Sequence, residues 1–82
     1  MPTIWGYLEN VNEMSSRSPH IQLRTLLSGG EVIRIRAYIG PQTLIARGDN
    51  ALDVSDLRED ECAQLSYQQD KKGRLTAVTI YV

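Results

Sequence analysis

The chain has one cysteine, Cys62, and one histidine, His20. A lone thiol excludes any internal disulfide. One Cys and one His cannot supply a four-ligand zinc site of these residue types. A nucleophilic Cys62 would need a base, and the chain has no second His to serve beside His20. Cys62 therefore reads as a small, inert side chain on a strand. No apolar run approaches the length of a membrane span. The start, Met-Pro-Thr-Ile-Trp-Gly, has no charged region leading into an apolar core, so no signal peptide is seen and a soluble, cytoplasmic protein is expected. Internal repeats and low-complexity tracts are missing too.

What remains is a small chain of 82 residues, expected to form a single domain over residues 1–82. A chain of this size buries a modest core, and the usual staples are absent. Stability must come from close packing or from self-association. The net charge of −1 argues against a generic polyanion binder. The charge is unevenly spread, however. Residues 1–48 carry five Arg against three Glu, for +2, and residues 49–82 carry four basic against seven acidic residues, for −3. That asymmetry directs attention to particular surfaces.

The pattern along the chain is that of short strands. Thr3–Val11 alternates Ile4, Gly6 and Leu8 on one face with Trp5, Tyr7 and Glu9 on the other. Gly6 inside a strand implies a bend or the close approach of another backbone, as at a barrel corner. The polar stretch Asn12–Pro19 reads as an exposed loop. In His20–Leu27, Ile21, Leu23, Thr25 and Leu27 share a face, with His20, Gln22, Arg24 and Leu26 opposite. In Val32–Ile39, Ile33, Ile35, Ala37 and Ile39 oppose Arg34, Arg36 and Tyr38. A strict two-residue Gly29-Gly30 turn would mix these faces. A three-residue loop, Gly29-Gly30-Glu31, pairs Leu23 with Ala37, Thr25 with Ile35 and Leu27 with Ile33, with a glycine in the left-handed region of a bulged hairpin. Gly40-Pro41 is expected to end that strand, with a short strand at Thr43–Ala46, a loop at Arg47–Ala51 and a return to the core at Leu52–Val54.

The last third reads most clearly. One short turn at 55–58 leads to a strand, Glu61–Gln69, with Ala63, Leu65 and Tyr67 on one face. The break Asp70-Lys71-Lys72-Gly73 then opens onto Arg74–Val82, whose Leu, Val, Thr, Ile and Tyr suit a pleated surface. A helix over Ser55–Leu65 is the rival reading, but acidic residues crowd what would be its interior. Five or six short strands with glycine-containing turns predict an all-β fold, a small five- or six-stranded OB-like barrel. Closure also removes the exposed edges an open sheet would have.

The pattern that begins at Thr43 and runs on as Leu52-x-Val54-Ser55-Asp56-Leu57-x-x-Asp60-x-Cys62, followed by Gly73-x-Leu75-x-Ala77-x-x-Ile80-x-Val82, resembles a group of small bacterial OB-like β-barrel domains of unknown function. The resemblance covers roughly the last half of the chain. It implies a Ser-Asp-Leu turn, a sharp Gly-Asp step into the penultimate strand and a final hairpin that closes the barrel. Here Asp60-Glu61 stands in place of the Gly-Asp step. The phase change between Leu75/Ala77 and Ile80/Val82 implies a bulge near Val78-Thr79 if all four face inward. No catalytic residue carries over from the group.

Chemistry is sparse. The acids Asp53, Asp56, Glu59, Asp60 and Glu61 lack the spacing of a calcium loop and read as a solvated turn. Gly29-Gly30 is a hairpin turn and not a phosphate loop. Arg47-Gly48-Asp49 matches an integrin-recognition tripeptide, too short to carry information. No converging reactive groups point to an enzyme, and no cofactor or metal is implied. One surface has content: the outward face of the first three strands, with Trp5, Tyr7, Arg24, Arg34, Arg36 and Tyr38, and with His20 and Gln22 beside them. Trp, Tyr and Arg mark protein–protein contacts. Aromatics interleaved with Arg on an OB-like barrel also suit single-stranded nucleic acid, with bases stacking on rings and guanidiniums neutralising phosphates. The expectation is a non-enzymatic binding or assembly module that self-associates or takes a protein partner through this face, with single-stranded nucleic acid as the alternative.

Overall fold

The computed structural model describes residues 2–12 and 19–82. Six strands appear in chain order: β1 (Thr3–Asn12), β2 (His20–Leu26), β3 (Val32–Arg47), β4 (Asn50–Ala51), β5 (Cys62–Gln69) and β6 (Leu75–Tyr81). The one helical element among the described residues is a 3₁₀ turn, Val54–Asp56, where the sequence predicted a short turn. The longer helix over Ser55–Leu65 does not form.

Pairing runs β2-β1-β5-β6-β3-β4, and an added β2–β3 ladder joins the ends. Five strands therefore close on themselves, and β4 extends β3 as a two-residue flap. Pairings are antiparallel except β3 with β6, which is parallel. This all-β closed barrel is consistent with an OB-like fold. Closure leaves β4 as the short free edge, which limits unwanted strand pairing.

Alternation explains the interior. Leu8, Ile21, Leu23, Ala37, Ala63, Leu65 and Ile80 are fully buried, and Ile45, Ala77 and Leu57 nearly so. Leu57 comes from just past the 3₁₀ turn, and Leu52 and Val54 pack against the same cluster. Burying such side chains contributes roughly 1.5–3 kcal/mol each for the large ones. Gly6 is where two backbones meet. A Cβ there would stand 2.5 Å from the Arg24 carbonyl oxygen and 2.9 Å from Leu23 Cγ. The close approach anticipated for Gly6 is therefore present, and the Thr25 hydroxyl donates to the Trp5 carbonyl at 3.0 Å beside it.

Two expectations need correction. The β2–β3 register pairs Leu23 with Ile35, Thr25 with Ile33 and Leu26 with Val32, not Leu23 with Ala37 and Thr25 with Ile35. The three-residue loop is Ser28-Gly29-Gly30. The Gly30 N–H donates to the Leu27 carbonyl at 2.9 Å, and the Leu27 N–H donates to the Glu31 carbonyl at 2.7 Å. Gly30, at φ +85°, takes the left-handed position. A left-handed glycine was expected, but the expected register made Glu31 and not Gly30 the last loop residue, the position where a side chain is disfavoured.

The second correction concerns Pro41. β3 does not end at Gly40-Pro41 but runs on for 16 residues, absorbing the short strand expected at Thr43–Ala46. Pro41 lacks an N–H, so it is tolerated only where the ladder is broken. The break is here: the β3–β6 register shifts between Ile39 and Leu44. The Thr43 hydroxyl bridges it, accepting from the Gly40 N–H at 2.9 Å and donating to the Ala77 carbonyl at 2.7 Å. The predicted loop Arg47–Ala51 is in part the β3–β4 hairpin, turned by Gly48 at φ +58° and Asp49. The loop expected at Asn12–Pro19 lies largely outside the described residues.

The C-terminal half follows its motif. The β5–β6 register shifts between Ser66 and Tyr67, leaving Val78 as the extra residue, where a bulge was expected. Asp60 sits at φ +65°, a left-handed conformation that favours Gly. Asp tolerates that region better than most residues. Its N–H donates to the Leu8 carbonyl at 2.7 Å, and the Leu8 N–H donates to the Glu61 carbonyl at 2.9 Å, so the step is pinned to β1.

Candidate functional site

The outward face of β1, β2 and β3 is a grid fixed by register. Tyr7, Arg24 and Arg34 form one row, and Glu9, Gln22 and Arg36 the next. Towards one end come His20 and Tyr38, paired directly. Towards the other come Leu26 and Val32, also paired, with Trp5 two residues before Tyr7 on the same side of β1. All six residues singled out in the sequence, Trp5, Tyr7, Arg24, Arg34, Arg36 and Tyr38, lie on this outer wall. Inward neighbours such as Gly6, Leu8, Leu23 and Ala37 are buried.

The grid divides by polarity. Glu9 holds the centre: its Oε1 accepts from Arg34 Nε at 3.1 Å, and its Oε2 lies 3.5 Å from an Arg24 guanidinium nitrogen. Arg24 also reaches Asp60 at 3.6 Å, and its guanidinium lies 5.6 Å from the Tyr7 ring centroid. Such exposed pairs contribute little stability, about 0–1 kcal/mol each. Their effect is to neutralise two of the three arginines on the face. Arg47, beyond it, pairs with Glu61.

The end at Trp5 is apolar and uncovered. Trp5 is 61% exposed and Leu26 69%, with Tyr7 and Val32 also exposed on the same side; Leu27 and Ile33, expected to face inward, are exposed as well but alternate to the other side. Isolated exposed apolar residues are ordinary, but a contiguous group rimmed by charge marks a contact surface. Leu26 and Val32 were not singled out from the sequence. The signal was present, since alternation already put Leu26 on the outer side with Arg24.

At the opposite end the Tyr38 ring has two neighbours. His20 lies across the ladder, ring centroids 5.9 Å apart at 55°. The Arg74 guanidinium, from the start of the β6 segment, lies 4.8 Å from the Tyr38 centroid. The turn before it positions Arg74. Asp70 Oδ1 accepts from the Lys72 and Arg74 N–H groups at 2.8 Å each, and the Gly73 N–H donates to the Asp70 carbonyl at 3.1 Å. The Arg74 N–H is the main cause holding the Asp70 carboxyl below its ordinary value. Desolvation opposes it, and the Lys72 N–H and the charges of the Arg74 and Lys72 side chains assist.

Three surface cavities, of about 320, 470 and 260 Å³, all meet at Gly40, away from Trp5 and Leu26. None of the three is lined by Trp5, Tyr7, Leu26 or Val32. Cys62 is exposed on the outer wall, paired in register with Tyr7. Among the described residues, no group of three or more His, Cys, Asp or Glu is placed to hold a metal ion. No helix among them is long and apolar enough to cross a membrane. The Arg47-Gly48-Asp49 tripeptide lies at the tip of the β3–β4 hairpin. The chain matches no family model, no curated protein and no solved structure.

Proposed function

We propose that the chain is a non-enzymatic assembly module that self-associates by covering the Trp5–Leu26–Val32 end of the β1–β3 face with a second copy. The observation that carries the reading is the exposure of Trp5, Tyr7, Leu26 and Val32 on one side of β1–β3 beside internally neutralised arginines. Neutral, aromatic and aliphatic composition suits an interface core, where charged residues are depleted. A small barrel whose single Cys excludes an internal disulfide also gains stability when a second copy buries such a patch. The closed strand order supports the likeness to small OB-like barrels.

A nucleic-acid reading of Trp5, Tyr7, Arg24 and Arg34 has less support, because Glu9 and Asp60 already face both guanidiniums. Trp5 is the single tryptophan, so its emission reports on this patch alone. With increasing protein concentration the emission should shift to the blue as the indole leaves water. An emission maximum that stays fixed across the whole concentration series removes the proposal.

A further inference from the structure

The cations of this face differ in their partners. Of the cations on this wall, Arg24 and Arg34 have carboxylate partners, whereas Arg36 and Arg74 have no ion pair among the described residues. Those two flank one ring. Arg36 is two residues from Tyr38 on the same side of β3, and Arg74 lies over it. A cavity of about 260 Å³ opens beside Tyr38 and Arg74, floored by Ile39, Gly40 and Thr76. Lys71 and Lys72 stand on the adjoining turn. The acidic residue at this cavity, Asp70, gives one oxygen to two backbone N–H groups.

We infer that this end binds single-stranded nucleic acid, with one base stacked at Tyr38 and the flanking phosphates on Arg36, Arg74 and the turn lysines. The cavity is smaller than the ~300–1,000 Å³ that encloses a drug-sized ligand. It therefore suits one ring of a longer chain. A planar guanidinium beside a tyrosine ring offers both stacking and bidentate phosphate contact. An acidic peptide would use the cations but leave the ring unused, so the ring decides between the two polymers. The site does not depend on self-association, since its residues lie at the opposite end of β2 and β3 from Leu26 and Val32.

The test is an anisotropy titration of labelled oligodeoxythymidine at low salt, with polyglutamate as competitor. Binding is expected, with log K falling against log salt at about −0.7 per phosphate neutralised, a slope near −3 if all four cations engage. Arg36→Ala with Arg74→Ala should weaken binding at least tenfold and reduce the slope by about 1.4. Tyr38→Leu, which keeps apolar bulk but removes the ring, should weaken it about tenfold with the slope kept. Trp5→Ala and Arg24→Ala should change neither. Three results would overturn the inference: no binding at low salt, equal competition by polyglutamate with Tyr38→Leu silent, or loss on Arg24→Ala but not on the Arg36/Arg74 pair. Circular dichroism of each variant separates loss of the site from loss of the fold.

Discussion

Gly6→Ala tests the barrel's closest contact. The added methyl carbon would stand 2.5 Å from the Arg24 carbonyl oxygen, 2.8 Å from Thr25 Oγ1 and 2.9 Å from Leu23 Cγ. The first is backbone and cannot rotate away, so β1 or β2 must move. Two effects compete. Alanine removes conformational freedom from the unfolded chain, a gain of about 0.4–1 kcal/mol where the native geometry accepts it. Overpacking against a fixed backbone costs about 1–3 kcal/mol, and here it also strains the β1–β2 ladder. The clash should win, lowering the melting temperature by about 5–20 °C at the 4–8 °C per kcal/mol typical of such domains. Gly29→Ala is the control: no atom lies within 4 Å of its added Cβ, and stability should hold or rise slightly. Thermal and urea unfolding followed by circular dichroism read both. A Gly6→Ala protein as stable as the parent would refute the close-approach argument.

Asp60→Gly should leave stability within about 1 kcal/mol, because relief of the left-handed backbone offsets the loss of an exposed pair to Arg24; Asp60→Val should cost roughly 1–2 kcal/mol or more, and urea midpoints distinguish the two. Leu65→Ala, at a fully buried position, should cost about 2–5 kcal/mol and leave little of a small domain's stability. The folded-state pKa of Asp70 is depressed, so its contribution is fully present above the unfolded value. It is lost as pH falls through the depressed one. Asp70→Asn should therefore flatten the acid limb of the stability–pH curve below about pH 4 and leave that limb's shape above pH 5 unchanged; an unaltered acid limb would contradict the turn assignment.

The faces were legible because alternation is a local property. Ile4, Gly6 and Leu8 inward, and Trp5 and Tyr7 outward, follow from period two alone. The Val78 bulge followed from the phase change between Ala77 and Ile80. The register of the β2–β3 hairpin did not follow, for a definite reason. Registers two residues apart put the same side chains inside, so the hydrophobic pattern cannot separate Leu23–Ala37 from Leu23–Ile35. The turn separates them, since its third residue must be left-handed and Gly30 suits that position where Glu31 does not. Pro41 misled because a proline is a strand breaker in a continuous ladder, and whether the ladder is broken there depends on β6, over thirty residues away. Arg74 over Tyr38 was illegible on the same ground: it needs the parallel β3–β6 pairing, a contact without local signature. The ion pairs of Glu9 with Arg24 and Arg34 depend likewise on which strands are neighbours.

Sedimentation equilibrium of the unmodified chain, from low to high micromolar concentration, tests the assembly claim most directly. The account predicts a reversible monomer–oligomer equilibrium that Trp5→Ala with Leu26→Ser returns to monomer, with the circular dichroism unchanged. A single monomeric species over the whole range for the unmodified chain would contradict it.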